Sequence, residues 1–542
     1  MIRSEFNSTT EYDIIVIGGG ITGAAVAYDA ASRGLSVALV EKDDFGSKTS
    51  SATSKLIHGG LRYLANFELS LVRESLRERR VLENIAPNFV YPIGNMIIFN
   101  NPAMKKQKYL LKIGMILYDI LSFDKKFTWD KSKRLPSHKN FSRKETIKQE
   151  PVLDSKDQDG SLVYYDCASI CPERLTLAFI KSAAAKGADV ANYMEVKGFR
   201  IFNNKIDGVN LFDKINNRAV SVKGKITINC AGPWADKVLS LTGTEEHKEV
   251  LRRSEGIHII TKKILSKYLV TSSTPGGRHI FIIPWRGYSL IGTTDKEYIG
   301  SPDKWTIRKE SVMELVNDVN SSFGENVKIS YDDILYCYGG LRPLVEDQTE
   351  DVYESSRKYE IFDNAADGFD GLITVEGGKY TTSRNLAENV MKIACRKLGI
   401  SDKKAGTDKE YLYGSEIEDI NAFVEFCKTK YSNLPSETVD YLSRMYGTEI
   451  DSLMSAADKD KSLTTPLTSE GEIAAQIVYA IEKEMALTLT DILFRRTGLG
   501  TLGHPGKDAL KKIADTAGAI LGWDQDRKNS EIAEAEKLFK KP

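Results

Sequence analysis

The segment Tyr12–Glu41 limits what this chain can fold into more than any other part of it. Asp13–Ile17 is a short apolar run of strand type. Gly18, Gly20 and Gly23 then spell G-x-G-x-x-G and lead into a small, helix-forming run, Ala24–Ser32. Gly34 suits a helix end, and Ser36–Val40 is a second apolar strand. Glu41 closes the unit about 20 residues beyond the glycines. One glycine permits a tight turn, one lets the backbone approach a pyrophosphate, and one lets helix and strand pack closely. The helix N-terminus offers free N–H groups to phosphate, and Glu41 can accept a hydrogen bond from a ribose hydroxyl. A glycine-rich loop between core strands can carry the same spelling. Strand, helix, second strand and acid together point to dinucleotide binding, with NAD and FAD both left open.

Composition narrows the class. A length of 542 residues suggests about two to four domains. Lys+Arg (75) balances Asp+Glu (75), which argues against a nucleic-acid partner because no global positive field exists. The six cysteines include only one close pair, Cys167 and Cys171, so neither a zinc site nor a disulfide framework is expected. No metal is expected, and a reduced, cytosolic setting is the default. The first residues carry no apolar core of a secretory signal, and no run of 18 apolar residues is present to span a bilayer.

Further along, residues 43–64 form a polar, hydroxyl-rich connection too long for a plain loop. Phe67–Ala86 reads as a charged helix, Lys125–Lys148 as a lysine-rich loop, Leu175–Gly187 as a helix and Lys225–Ala231 as a strand. Residues 250–300 alternate apolar and polar with Gly and Pro punctuation, as in an antiparallel sheet. Leu372–Val375 is a strand running into Gly377-Gly378-Lys379 and a helix from about Tyr380 to Leu398. From about residue 405 the pattern is helical. Ser469-x-x-Glu472 has the spelling of a capping box, and Ile473, Ile477, Ile481 and Met485 form an apolar stripe. Nucleotide-type pieces thus appear at 12–64, 225–236 and 372–384, separated by sheet-like segments. The expected fold is α/β, a Rossmann-like domain interrupted by an antiparallel-sheet cap, with a C-terminal α-helical domain.

KTSSATSKLIHGGLRYL, YGGLRPL and EGGKYTTSR, in that order behind the N-terminal unit, resemble FAD-dependent glycerol-3-phosphate dehydrogenase. The resemblance continues in E-x-A-x-T-x-x-D-x-L-x-R-R-T at Glu484–Thr497 and covers about residues 12–525. It implies non-covalent FAD, oxidation of sn-glycerol 3-phosphate to dihydroxyacetone phosphate, and electrons passed to membrane quinone. The chain lacks the D-x-[DN]-x-[DN]-G loop and calcium-binding extension of mitochondrial members, so it resembles the aerobic, bacterial type. A homodimer and a place on the inner face of the cytoplasmic membrane are implied by the resemblance alone. The corresponding domains are 12–88, 161–245 and 366–404 for FAD, 89–160 and 246–365 for the cap, and 405–542 for the helical domain.

A phosphate dianion wants several cations in fixed geometry. Arg62, Arg342, Arg357 and Lys379, each beside glycine or in a turn, are the candidates, with Tyr63 beside them. Oxidation also needs a base for the substrate hydroxyl. His258, on an apolar strand, matches a family position as proton acceptor or as substrate contact, while His58 borders the flavin; a core histidine is the bland alternative. The expected catalytic set is His258, Arg342 and Lys379. Lys42, Thr49, Ser50, Ser51, Ser54, Gly59, Gly60, Ala231 and Gly232 join the fingerprint as cofactor contacts. Gly378, Lys379, Tyr380, Thr381 and Thr382 would face reduced flavin, whose negative charge a helix N-terminus stabilises.

Met104–Phe123 places Lys105, Lys106, Lys108 and Lys112 ahead of the apolar run Ile113–Leu121. Such a segment can lie in a headgroup plane as a monotopic anchor or be a buried cap helix with a charged end; the resemblance favours the membrane. Competing functions are a glycerol-3-phosphate oxidase releasing hydrogen peroxide, an amine or amino-acid oxidase, and a non-catalytic flavoprotein.

Overall fold

The computed structural model describes residues 1–64, 67–243, 251–274, 277–344 and 359–542. The first strand, Glu11–Ile17, pairs in parallel with Val37–Val40 on one side and Arg218–Asn229 on the other. Asp189–Ala191 and Leu372–Gly377 extend the parallel sheet outward. The hairpin Met194–Phe202/Lys205–Asp213 attaches antiparallel to the first half of Arg218–Asn229, and with Tyr359–Asp363 beside Leu372–Gly377 the sheet has eight strands. Helix Ile21–Ser32 is apolar nearly all round because it is covered nearly all round. Ala24, Ala27 and Tyr28 pack with Ile180 of helix Pro172–Ala185 and with Leu386 and Val390 of helix Ser383–Leu398.

The second sheet has ten strands and is mostly antiparallel. Next to one edge, Arg253–Thr261 lies between Tyr288–Gly292 and the edge strand Ile334–Pro343. One face packs Ile257, Ile259, Ile282 and Ile291 against Val316 and Val319 of helix Lys309–Ser322. The other face turns toward the nucleotide fold and the C-terminal helices.

Several expectations shift. Ser161–Ser169, assigned to the FAD segments, pairs along its whole length with Val90–Ile98 in the second sheet. Tyr359–Asp363, assigned to the cap, is instead the edge of the nucleotide sheet, paired to Leu372–Gly377. Pairing partners, not chain position, decide sheet membership, and both strands sit beside a crossover. Lys125–Lys148 is not plain loop: it contains strand Lys139–Phe141 and helix Arg143–Gln149, the latter begun by a capping box at Ser142 and Glu145. The helix after Gly378 starts at Ser383, since Lys379–Thr382 form a turn. Ser469 and Glu472 make no capping box: helix Ala475–Glu484 starts later, and Glu472 is buried against Arg286. Ion pairing with a buried guanidinium outcompetes a backbone cap for that carboxylate.

The C-terminal helices are joined to the nucleotide fold through buried charge. Arg496 donates to both oxygens of Asp44 at 2.8 and 2.7 Å, and Arg495 donates to Asp44 and to Asp491. Arg174 donates to both oxygens of Glu484 at 2.9 Å. Burial alone would raise Asp44, but Arg496 and Arg495 overcome it and hold the carboxyl below the usual range. Removing one partner of such a buried pair costs about 3–5 kcal/mol.

Candidate active site

A cavity of about 680 Å³ runs between the two sheets from Glu41 to Lys379. Its nucleotide end is made by backbone. Gly18 has φ +104°, and a Cβ there would stand 2.7 Å from Cys230 O. Gly23 does not line the cavity; it lies beneath, where a Cβ would fall 1.9 Å from Gly18 O. That contact lets the helix approach the strand end and aims its N-terminus into the cavity. Glu41 accepts from Gly19 N–H at 2.7 Å and from Asp43 N–H at 2.9 Å. Burial raises its pKa, and these two donors oppose the shift.

The hydroxyl-rich connection behaves residue by residue. Ser50 accepts from Ile21 N–H at 2.9 Å and so caps the helix while lining the cavity. Thr49 lines it too and donates to Leu341 O at 2.6 Å. Ser51 faces away and donates to Lys48 O. Lys42 lines the wall beside Trp234, its ammonium 4.6 Å from the ring centre and 3.2 Å from Asp303. Ala231 and Gly232 close the floor at the end of Arg218–Asn229.

The opposite end is made by side chains. His258 is fully buried, its Nε2 2.8 Å from Ser54 Oγ and its ring stacked on Tyr338 at 5.0 Å. Burial, then Arg342 and Lys55, drive its pKa well below that of ordinary imidazole. The ring therefore stays neutral near pH 7. Its Nδ1 is enclosed and has no hydrogen-bond partner among the described residues, and its Nε2 meets the cavity wall through Ser54. Arg342 lies flat across Gly256, where a Cβ would meet its Nη2 at 2.0 Å. It donates to Thr293 Oγ1 at 2.7 Å and lies 3.3 Å from Asp295.

Lys379 enters from the Gly377-Gly378 turn, whose φ values of +72° and +90° only glycine adopts readily. Its ammonium stands 3.8 Å from the centre of the Tyr63 ring and 3.4 Å from Ser75 Oγ. Tyr63 lines the cavity because the short turn Leu61–Leu64 sends it inward. The same turn sets the Arg62 guanidinium 5.4 Å from the centre of that ring. His58 opens to the cavity; the surrounding protein, opposed by Asp166, lowers its pKa, and Lys379 and Arg62 lower it further. Gly59 and Gly60 lie behind the wall, Gly59 N–H donating to Asp166 at 3.3 Å. Gly378, Tyr380 and Thr381 line the cavity, whereas Thr382 is withdrawn as the residue preceding the helix. Arg357 lies outside the described residues.

Sequence reasoning missed the supports. Asp166, buried between Arg79 (2.6 Å) and Tyr118 (2.7 Å), anchors the His58-Gly59-Gly60 turn. Thr293 and Asp295 orient Arg342, and the run Gly292-Thr293-Thr294-Asp295 after an apolar strand was the available signal. Nothing in the local sequence marks Asp166.

The residues of the cavity fit FAD. Glu41 suits the ribose and the glycine turn with its helix N-terminus suits the pyrophosphate, while the cavity continues to Gly377, Gly378 and Lys379, where a second ring system would lie. Comparison with known proteins agrees. Residues 13–384 match the FAD dependent oxidoreductase family, and residues 405–528 match the C-terminal domain of alpha-glycerophosphate oxidase. A glycerol-3-phosphate dehydrogenase of Synechocystis sp. is 35% identical over 538 residues, covering 96% of this chain and 95% of that protein. The chain belongs to the FAD-dependent glycerol-3-phosphate dehydrogenase family. An aerobic glycerol-3-phosphate dehydrogenase of Staphylococcus aureus is 33% identical over 501 residues, covering 90% of this chain and 87% of that one. The crystal structure of the Bacillus halodurans glycerol-3-phosphate dehydrogenase, complexed with FAD, aligns with TM-score 0.78 at 27% identity. It covers 98% of this chain and 95% of the other. FAD is accordingly the cofactor of this chain.

Proposed function

We propose that this member of the family oxidises sn-glycerol 3-phosphate to dihydroxyacetone phosphate and passes the electrons to membrane quinone. The observation that carries the reading is the substrate end of the cavity, where Arg342 and Lys379 share a wall with the neutral, buried His258. The two cations suit a phosphate dianion, and Tyr63 holds the Lys379 ammonium in place from one side. Arg62, its guanidinium 5.4 Å from the centre of the Tyr63 ring, adds positive potential at the same end. When bound, FAD supplies the two-electron acceptor for the hydride that leaves substrate C2. The substrate hydroxyl gives its proton to Ser54 Oγ as the carbonyl forms, and Ser54, 2.8 Å from His258 Nε2, passes its own hydroxyl proton to that nitrogen. The Gly377-Gly378 turn and Thr381 present positive and donor groups beside the same wall.

Anaerobic mixing tests the reaction. Glycerol 3-phosphate should bleach the flavin, and a flavin that stays oxidised at millimolar substrate would end the proposal. The acceptor needs a second measurement, because the match to an alpha-glycerophosphate oxidase domain supports oxygen as the alternative. Reduction of a soluble quinone analogue with little peroxide is expected. One peroxide per turnover in air would favour the oxidase.

The surface supports the membrane acceptor. Helix Pro102–Leu121 buries Met104, Met115 and Tyr118, yet leaves an apolar stripe in the open. Along it exposure runs from 77% at Tyr109 through Ile113 and Ile120 to 52% at Ile116, and Phe123 and Phe127 continue past the helix end. No helix among the described residues is long and apolar enough to cross a membrane. An apolar stripe with lysines at one end instead suits a helix lying in the headgroup plane at the inner face of the cytoplasmic membrane. Sedimentation with anionic vesicles should be lost in Ile113→Glu; undiminished binding would remove this helix as the anchor.

A further inference from the structure

His258 sits at one end of a stack of rings that ends in the C-terminal helices. Its ring lies on Tyr338 with centres 5.0 Å apart and planes 12° apart. Tyr338 stacks on Tyr336 at 6.2 Å and 27°. Tyr336 stacks on Phe494 at 5.9 Å and 25° and touches Phe539 at 6.3 Å. Phe494 and Phe539 are themselves 5.2 Å apart. Tyr336 packs against two hydrophobic clusters, one on the face of the cap sheet and one in the core of the C-terminal helices.

Strand geometry explains why these contacts reach the chemistry. Tyr336, Tyr338 and Arg342 alternate onto one face of Ile334–Pro343, because side chains two apart share a face. His258, on the neighbouring strand, is in register with Tyr338 on one side and Gly292 on the other. The C-terminal helices hold both flanking strands. One is held at Tyr336. The other is held at the hairpin turn where Arg286 donates to Gly498 O at 3.0 Å, to Thr501 Oγ1 at 2.9 Å and to Glu472.

The nucleotide side is held by the same turn. Phe494 belongs to the π-helical turn Ile492–Arg496, and the two residues after it, Arg495 and Arg496, grip Asp44 three positions past Glu41. Side chains in packed interiors move little without a neighbour moving, so a five-residue turn touching both sheets fixes their separation. Hydride transfer requires substrate and flavin to meet at near-contact distance, and misplacement by about 1 Å can cost roughly 100-fold in rate.

We propose that the C-terminal helices are part of the active-site scaffold, and that Phe494 is a positioning residue for His258 and Arg342, acting through Tyr336 and Tyr338. The proposal rests on the glycerol 3-phosphate reading above. It assigns no chemistry to Phe494, which touches neither the cavity nor the reacting atoms. It makes the C-terminal helices a requirement for rate, rather than only for stability.

The experiment compares the full-length, FAD-loaded chain with Phe494→Ala and with the conservative Phe494→Tyr. Three quantities are read: flavin reduction rate per bound FAD at saturating glycerol 3-phosphate, the Kd of inorganic phosphate from flavin spectral shifts, and amide exchange along Ile334–Pro343. Phe494→Ala should slow reduction at least tenfold per bound FAD, weaken phosphate at least threefold, and speed exchange in that strand. Phe494→Tyr should recover the rate to within threefold. A merely structural role would lower FAD content and melting temperature, while the loaded fraction would reduce within twofold of the parent rate; that result overturns the proposal. Should Phe494→Ala not fold, Tyr336→Leu is read by the same criteria. A parent chain that glycerol 3-phosphate does not bleach would instead defeat the function reading. A bleached parent with unaffected variants defeats this proposal alone.

Discussion

The two ends of the cavity hold their ligands by different means. At the nucleotide end the contacts are backbone: Gly18, Gly20, the helix N-terminus beyond them, and one acid, Glu41. These contacts lie within a single unit of chain, and Ala231 and Gly232 close the floor beneath them. At the substrate end the contacts are side chains drawn from four separate segments: Ser54 and Tyr63, His258, Arg342, and Lys379. Backbone holding demands missing side chains, and a missing Cβ has few substitutes. Side-chain holding demands supports, here Tyr338 under His258, Thr293 and Asp295 against Arg342, and Tyr63 beside Lys379. The first end should therefore fail by losing the cofactor. The second should keep the cofactor and lose the rate.

Gly23→Ala is the most severe way to break that contrast. Its Cβ would fall 1.9 Å from Gly18 O, a backbone atom that can move only with the turn itself. Overpacking of this kind costs about 1–3 kcal/mol, or more where backbone meets backbone, and each 1.4 kcal/mol is about tenfold in affinity. Purified Gly23→Ala should carry less than about a tenth of the parent flavin by its visible absorbance. A variant that purifies fully yellow would mean the close approach is not needed.

His258→Asn is the counterpart. It should retain FAD and lower anaerobic flavin reduction by about 10²–10⁴-fold, the range a general base contributes. The histidine also leaves a signature in pH. Burial, Arg342 and Lys55 hold its folded pKa below the ordinary value of about 6.5. Above that pH the imidazole is neutral in both folded and unfolded chains and contributes no slope. Below it the unfolded chain takes a proton that the folded chain refuses. Stability then falls as pH falls, by up to about 1.4 kcal/mol per unit until the folded value is reached. Denaturant titrations at pH 7.5 and 5.5 should show the parent losing more stability than His258→Asn over that interval. Equal losses would mean the histidine is not held neutral.

The same contrast explains what could be read in the sequence. The nucleotide unit was legible because its physics is local: strand, turn, helix and acid follow one another, and each glycine answers a nearby clash. Strand Leu372–Gly377 and the turn after it were legible for the same reason. The substrate cations were legible only through resemblance, since an arginine beside glycine is common and its partners come from elsewhere. Arg62 illustrates the limit: its guanidinium comes within 5.4 Å of the ring of Tyr63, a residue of the cavity wall, through a short turn that the local pattern does not reveal. The sheet that holds Ser161–Ser169 is not legible locally, because its pairing with Val90–Ile98 spans about 70 residues of chain. Glu472 has the spelling of a cap, and Arg286, the group that claims it, is far away in sequence. Asp44, Arg495 and Arg496 sit inside recognised motifs, yet nothing in either motif says that they meet.

The smallest effect tests the contrast most finely, because it compares two adjacent serines that sequence treats alike. Ser50 and Ser51 both sit in the hydroxyl-rich connection after Glu41. Ser50 Oγ is the acceptor for Ile21 N–H at 2.9 Å, at the start of the helix that faces the cavity. Ser50→Ala leaves that buried donor unsatisfied, which costs about 1–3 kcal/mol, and disturbs the helix terminus meant for phosphate. FAD affinity should fall together with stability. Ser51 Oγ donates only to Lys48 O, on the side away from the cavity. Ser51→Ala should change stability by no more than about 0.5 kcal/mol and leave FAD affinity unaltered. Fluorescence titration of apoprotein with FAD, beside urea unfolding of each variant, measures both quantities. Equal behaviour of the two serines would show that the connection contributes only a general polarity. A loss confined to Ser50 would show that the nucleotide end depends on backbone donors and on the side chains that keep those donors in place.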